Sequence, residues 1–285
     1  VTDYTGQGQW VDSDNVRFFQ GLPQKIGGWS KFIATYLVGV ARDVHAWISL
    51  DGTRFLAYGT DRKLYVYSEG VNYDITPIRE TASLTNPFTT ASGNATVTVA
   101  DTAHGAFKGD FVTYTGASAV DGLNLNQEFE IQSIVNTAAY TITFTDGSTA
   151  SGTTAGGGGS VTAKYQVNIG PSLSEFGYGW GTGTWGGSTW GTPRTTSNTT
   201  IEARQWSLDN FGEDLIATVL NGGTFKWDLS AGVGTRAVAV PNAPTQSRSN
   251  LVSTPDRHLL LFGTQPTIGT SGQDDLLIRF SNQED

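Results

Sequence analysis

Along this chain apolar residues alternate with polar ones or gather in short blocks rich in Val, Ile, Thr, Tyr and Phe, with Gly, Asn and Asp punctuating them. Alternation puts every second side chain on one face of a pleated strand, so the pattern predicts many short antiparallel strands and no helix. The clearest are Arg54–Gly59, Lys63–Ser68, Thr96–Val99, Phe111–Tyr114, Glu128–Ile134, Tyr140–Phe144, Asp214–Val219, His258–Gly263 and Leu276–Ser281. The fold class is all-β.

The pattern changes near residue 86 and again near residue 170. Residues 86–169 hold six acids and two lysines, 8 charged residues in 84 against 35 in the other 201, and are crowded with Thr, Ser, Ala and Gly. This stretch predicts a small β-sandwich or barrel module of its own, with the Gly156–Gly159 tract as a loop near its end. Residues 170–200 follow, with GYGWGTGTWGGSTWGT at Gly177–Thr192 and Trp180, Trp185 and Trp190 five apart. That stretch is too rich in glycine for a regular strand and reads as a low-complexity loop.

Outside these stretches the strands recur. WISLDGTRFLAYGTDRKLYVYS begins at Trp47, WSLDNFGEDLIATVLNGGTFKWDLS at Trp206, and a less regular unit runs from Asp256 to Ser281. Asp214 and His258 are 44 residues apart, and Arg54 and Asp214 are 45 apart once residues 86–169 and 170–200 are set aside. Both match the ~40–45 residues of a four-stranded propeller blade. The expectation is therefore propeller-like blades over residues 1–85 and 201–285 with the module inserted between them; a plain β-sandwich with similar hairpins is the alternative. About three blades are visible, whereas a propeller closes with at least four.

Composition narrows the chemistry. Cysteine is absent, which removes disulfide scaffolds, iron–sulfur sites and thiol nucleophiles, and His45, His104 and His258 lie far apart. Methionine is absent too, even at position 1, which points to a processed or partial product. No uninterrupted apolar stretch reaches the ~18 residues of a membrane span, and the N-terminus lacks a basic region followed by an apolar run. The net charge of −9 argues against clamping nucleic acid by phosphate neutralisation. It is compatible with a conduit along which DNA slides without sticking.

Candidate chemistry is sparse. The acid pairs Asp12/Asp14, Glu213/Asp214, Asp274/Asp275 and Glu284/Asp285 sit at expected turns or termini, where Asp and Glu are ordinary residues. Ser49-Leu50-Asp51-Gly52 and Ser207-Leu208-Asp209-Asn210 faintly resemble the Asp-box hairpins of sialidase-like propellers but read as plain turns. Asp12, Asp14 and Asn15 lack the glycine and the distant glutamate of a calcium loop. No catalytic residue, cofactor or metal site is assigned. The Gly-Trp loop offers flat aromatic surface on a pliable backbone, suited to gripping a neighbouring subunit or to anchoring itself.

The stretch NVRFFQGLPQKIGGW, Asn15 to Trp29, resembles the start of the tail-nozzle and packaged-DNA-stabilisation proteins of short-tailed bacteriophages. Asn15, Val16, Arg17, Phe18, Gly21, Pro23, Lys25, Ile26, Gly27, Gly28 and Trp29 fit that family's pattern. Trp206, Asp209, Gly212, Leu215, Gly222, Gly223 and Trp227 resemble its second blade, and Val97–Phe144 is similar to a β-module spliced into phage tail proteins. The resemblance implies a virion structural protein with no enzymatic activity, forming a six-copy homo-oligomeric ring at the distal end of the tail. The implied partners are an adaptor ring, tail fibres and DNA passing through the lumen without specific binding. Trp180, Trp185 and Trp190 are the candidate subunit contacts. The competing expectations are a receptor- or carbohydrate-binding tail-tip propeller, which would use the same tryptophans, and, more weakly, a propeller hydrolase.

Overall fold

The computed structural model describes residues 14–28, 30–31, 35–170, 173–174, 202–254, 256–270 and 272–283. Trp180, Trp185 and Trp190, with the rest of their loop, lie outside the described residues, as do Asp12, Trp29, Glu284 and Asp285. Apart from one three-residue 3-10 turn, Leu229–Ala231, every regular element among the described residues is a strand. No helix there is long and apolar enough to cross a membrane.

The chain divides into two compact units, Val1–Tyr36 and Leu37–Asp285. The first contains a hairpin of β1 (Val16–Phe19) and β2 (Leu22–Lys25), in register from Val16 opposite Lys25 to Phe19 opposite Leu22. Its turn is Gln20-Gly21, with φ of 50° and 80°. Two positive φ values define a type I′ turn, which matches the strands' twist and favours glycine. The Asn15 carbonyl accepts from the Ile26 N–H at 2.8 Å, closing the open end. Pro23 stands on an edge strand, where a missing N–H is tolerated.

The second unit begins with an antiparallel meander of β3 (Ala41–Ile48), β4 (Arg54–Thr60), β5 (Leu64–Ser68) and β6 (Val71–Asp74), paired in that order. An eight-stranded sheet follows, made of β7 (Ile78–Leu84), β8 (Phe88–Thr89), β9 (Thr96–Ala100), β10 (Phe111–Thr115), β11 (Glu128–Asn136), β12 (Ala139–Thr143), β13 (Ala155–Gly156) and β14 (Val161–Gln166). Their order is β13-β8-β9-β12-β11-β10-β14-β7. The chain passes from β7 to β8 and from β13 to β14 across short breaks, and both halves of these two bent strands pair with each other. The sheet thus closes on itself as a barrel, which removes its edges.

A second meander, β15 (Trp206–Phe211), β16 (Asp214–Val219), β17 (Thr224–Trp227) and β18 (Val238–Ala239), and a third, β19 (Ser249–Val252), β20 (Leu259–Phe262) and β21 (Ile278–Phe280), complete the unit. The core has three parts. One fills the barrel around Phe88, Tyr114, Leu125, Ile131 and Tyr140. Another lies between the first two meanders, with Trp47, Phe55, Val66, Trp206, Leu215 and Trp227. The third lies between the second and third, with Ile216, Val252, Leu259 and Leu261.

Alternation decides which residues reach which core. In the second meander Trp206, Leu208, Leu215 and Ala217 turn toward the first, and Phe211 and Ile216 toward the third. The second meander is therefore apolar on both faces, and its strand β16 reads as the near-continuous hydrophobic run DLIATV.

Candidate functional site

The meanders are joined through their first strands by a repeated side-chain contact. Asp43 on β3 accepts from the Leu208 N–H of β15 at 2.9 Å, and Asp209 on β15 accepts from the Val252 N–H of β19 at 2.7 Å. Each aspartate thus captures a backbone donor that lateral strand pairing leaves free. His45 reinforces the first junction, its Nε2 lying 3.0 Å from Asn210 Oδ1, and Trp47 donates its indole N–H to the Glu213 carbonyl at 3.0 Å. Burial pushes the Asp43 carboxyl above its usual range, partly offset by the N–H groups of Val44 and Leu208. Replacing Asp209 with alanine strands the Val252 N–H; the expected loss is about 1–3 kcal/mol, read by chemical denaturation.

The two Ser-Leu-Asp stretches take different local structures. Ser49-Leu50-Asp51-Gly52 is a turn: Asp51 Oδ1 accepts from Thr53 N–H at 2.8 Å, and Gly52 N–H reaches the Ser49 carbonyl at 3.0 Å. Ser207-Leu208-Asp209-Asn210, expected as its counterpart, lies inside β15. The reversal falls at Gly212-Glu213, because Gly212 with φ 67° supplies the first position of a type II′ turn.

That turn borders a cleft of about 620 Å³ whose lining includes Ile48, Leu50, Phe211, Glu213, Lys226 and Asp228. Lys226 Nζ is 2.8 Å from Asp214 Oδ2 and 6.0 Å from the Phe211 ring centroid. The acid pair Glu213/Asp214 is committed to holding the walls: Glu213 accepts from the Leu50 N–H at 2.8 Å and Asp214 from the Leu229 N–H at 3.0 Å. Asp228 caps the 3-10 turn by accepting from the Ser230 N–H at 2.8 Å. The result is one aromatic ring and three aliphatic side chains, Ile48, Leu50 and Leu229, beside the charged groups of Glu213, Asp214, Lys226 and Asp228. Asp274 and Asp275 do not act as a pair either, since Asp274 accepts from Leu276 N–H at 2.9 Å and Asp275 holds Arg248 at 3.0 Å.

Two polar clusters carry no sequence signature. Lys63 is buried, with Nζ 2.8 Å from Asp74 Oδ2, in contact with Glu128 Oε1 and over the Phe111 ring. Arg236 reaches Asp74 at 3.2 Å and the Thr76 carbonyl at 2.7 Å. This hub ties the barrel, through Glu128 and Phe111, to the first meander and to the loop before β18. Burial alone would lower the Lys63 pKa, but Asp74 and Glu128 outweigh it and hold it above the ordinary value.

Inside the barrel Tyr114, Tyr140 and Tyr165 form a hydroxyl chain at 2.5 and 2.8 Å that ends on Asp101 Oδ2 at 2.6 Å. Burial pushes the Tyr140 phenol up to about 12, so the chain stays protonated. His104 is part of this core: it is buried, accepts from the Ala106 N–H at Nδ1, faces the Asn136 carbonyl with Nε2 at 3.1 Å and stacks edge-on against Tyr140.

Asp110 nearby is pushed up to about 6 by burial, partly offset by the Phe107 N–H and Arg79. A carboxyl raised in the folded state gives stability that is complete below its unfolded pKa and lost as pH rises through about 6. Asp110→Asn is therefore expected to raise the melting temperature at pH 8, by about 1–3 kcal/mol of stability, with the gain vanishing near pH 4. A thermal-melt series across that range checks it.

No family model matches this sequence, and no curated protein matches it. Among solved structures, the phage phi92 endosialidase aligns over 79% of this chain and 42% of its own, at 15% identity and a TM-score of 0.29. The chain thus spans less than half of that protein's length.

Proposed function

We propose that the chain is a structural protein of a bacteriophage tail, a nozzle or distal tail ring that retains packaged DNA and forms the channel for its ejection. On this reading the three meanders are successive blades of a β-propeller, and the barrel is a module inserted between the first and second. The observation that carries it is the repeated aspartate clasp. Asp43 and Asp209 lock consecutive first strands side by side, as the inner strands of propeller blades require, and make a stiff stack suited to a mechanical task.

Two further features support the reading. The motif that resembles the phage family has a physical basis in its hairpin, where Gly21 serves the turn. The net charge of −9 suits a lumen from which DNA must slip freely. The partners on this reading are copies of the chain in a ring of six, an adaptor ring and tail fibres.

Electron microscopy of the native assembly tests it: a six-fold ring with an axial channel about as wide as a duplex is expected, and three-fold spikes without a channel overturn it. Deleting Gly177–Thr192 is expected to abolish ring assembly and leave a folded chain; intact rings after deletion remove that loop from the contact.

The cleft beside Phe211 favours a second reading, a carbohydrate-binding tail-tip module, because a flat ring bordered by Lys226, Glu213 and Asp228 suits the apolar face and hydroxyls of a sugar. A glycan array decides it. Binding that disappears in Phe211→Ala and in the combined replacement of Trp180, Trp185 and Trp190 would establish the module over the nozzle.

A further inference from the structure

The connection from β9 to β10 is fastened to the barrel by three titratable side chains. Asp101, just before it, donates its N–H to the Ala138 carbonyl at 2.9 Å, and Gly109 at its far end donates to the Ile131 carbonyl at 2.8 Å. Between these two anchors the N–H groups of Ala103, Ala106 and Phe107 go to Asp101 Oδ1 at 3.1 Å, His104 Nδ1 at 3.0 Å and Asp110 Oδ2 at 2.9 Å. The loop carries Ala106 into the barrel core and leaves Phe107 62% exposed.

His104 is the central fastening, and both of its ring nitrogens are committed. Nδ1 receives the Ala106 N–H, while Nε2 faces the Asn136 carbonyl at 3.1 Å, a group that can only accept. These partners fix the neutral ring with its proton on Nε2. A second proton on Nδ1 would point at the Ala106 donor, and two N–H groups cannot share one hydrogen bond. The ring is buried edge-on against Tyr140, with centroids 5.1 Å apart, so water does not reach it to take the donor's place.

The charged groups around the ring do not compensate an imidazolium. Arg79 on β7 already donates to the His104 carbonyl at 2.8 Å and pairs with Glu80 at 3.0 Å, and Lys108 adds another cation to the loop. Asp101 divides its oxygens between the Ala103 N–H and the Tyr165 hydroxyl, the latter at 2.6 Å. Asp110 takes the Phe107 N–H, and Glu130, beside Gly109, pairs with Arg62 at 2.6 Å. The phenols of Tyr140 and Tyr165 are both pushed up by burial and stay neutral.

We propose that Thr102–Gly109 is an acid-released flap on the barrel: a proton taken up by His104 expels the Ala106 N–H, and the loop turns outward to let the imidazolium reach water. Gly109, with φ of 91°, is the pivot next to β10, in a region where glycine moves at little cost. Opening withdraws Ala106 and the imidazole from beside Tyr140 and uncovers that end of the Tyr140–Tyr165–Asp101 chain. The flap stands on the barrel's geometry and is independent of the tail reading.

Asp110 answers acid with the opposite sign. It stays in the sheet, its carbonyl accepting from the Ile131 N–H at 2.8 Å, and burial raises its carboxyl to about 6. A raised carboxyl is favoured protonated in the closed barrel, so acid settles Asp110 in place while His104 pulls the loop outward. Asp110→Asn therefore leaves the histidine's effect undiluted. The test is amide hydrogen exchange followed by NMR between about pH 7.5 and 5, each rate corrected for its intrinsic value. In Asp110→Asn the opening constant of Ala106 and Phe107 is expected to rise about tenfold per pH unit once the released imidazole is charged, because opening takes up one proton. The parent is expected to show a shallower rise, with Val97 and Ile142 in the barrel strands protected throughout.

An opening constant that stays flat with pH in Asp110→Asn overturns the proposal. Adding His104→Asn puts an amide oxygen close to where Nδ1 stands, able to accept from Ala106 but not to titrate. That double variant is expected to lose the pH dependence; a slope that survives it assigns the effect to another group and also overturns the proposal. Protected Val97 and Ile142 amides show whether the double variant has folded. The imidazole nitrogen signals of the parent give a check that needs no variant. While Ala106 is protected, His104 is expected to be neutral with its proton on Nε2, and an imidazolium beside a protected Ala106 amide refutes the flap.

Discussion

Gly59→Ala is expected to lower stability by about 3 kcal/mol, at the upper end of the ordinary cost of overpacking a core. Gly59 lies on β4, on the face that meets the second meander, and a Cβ there would fall inside the Trp206 side chain, against both its Cβ and its ring. The obstacle is rigid. Trp206 is 2% exposed and packs edge-on against Phe225, so the indole has nowhere to swing. The two sheets must separate locally, and the Asp43–Leu208 contact on the neighbouring strand pair is strained with them. A chain of this size should lose roughly 6–12 °C in melting temperature. Trp206→Phe in the Gly59→Ala background is expected to recover part of the loss, a non-additivity that only direct contact explains. Additive effects would remove the contact as the cause.

Lys63→Met is expected to cost about 3 kcal/mol and to uncouple the barrel from the meanders. Lys63 is 3% exposed and neutralises Asp74 and Glu128, which come from different parts of the fold. Removing it leaves two carboxylates sharing Arg236 at 3.2 and 3.9 Å, and breaking one partner out of a buried ion pair is costly for that reason. The partial exposure of both acids keeps the figure near the lower end of that range. Calorimetry should resolve the single transition into two, with the barrel melting on its own. The triple variant Lys63→Met, Asp74→Asn, Glu128→Gln, which removes the charges together, should recover most of the stability.

The pH dependence of the hub has a definite sign. Burial alone would raise the Asp74 pKa, but Lys63 and Arg236 outweigh it and hold it below its usual value. Its stabilisation is therefore complete above about pH 4 and lost as pH falls through the depressed folded value, while the raised Lys63 keeps its contribution until pH passes above the ordinary lysine range. Acid, not alkali, is expected to separate barrel from meanders first.

Particular residues show what was legible in the sequence. Asp214–Val219 is a strand as the run DLIATV predicts, and Thr96–Ala100, Phe111–Thr115 and Ala139–Thr143 follow their alternation. The repeat that begins at Trp47 and Trp206 was visible, yet the two tryptophans are not equivalent in space. Trp47 points forward from the first meander and Trp206 backward from the second, so both enter one core. A shift of one residue reverses every side chain of a strand, and similarity in spelling does not encode that shift. The Asp-Asn at 209–210 reads as a turn for the same reason: local chemistry fits, but Asp209 is taken by the Val252 N–H of the next sheet.

The sequence by itself determined the fold class, the positions of most strands and the scarcity of reactive groups, because alternation, turn residues and composition act over a few residues at a time. The tertiary structure decided everything that depends on contacts between distant segments. It brought Lys63 to Glu128 across 65 residues and Asp43 to Leu208 across 165, closed the barrel through two bent strands, and left Leu251 and Phe280 facing outward. The physical reason is that an aspartate, a lysine or a leucine has the same local preferences wherever it stands, whereas its role comes from the backbone donor, charge or apolar surface that packing sets beside it.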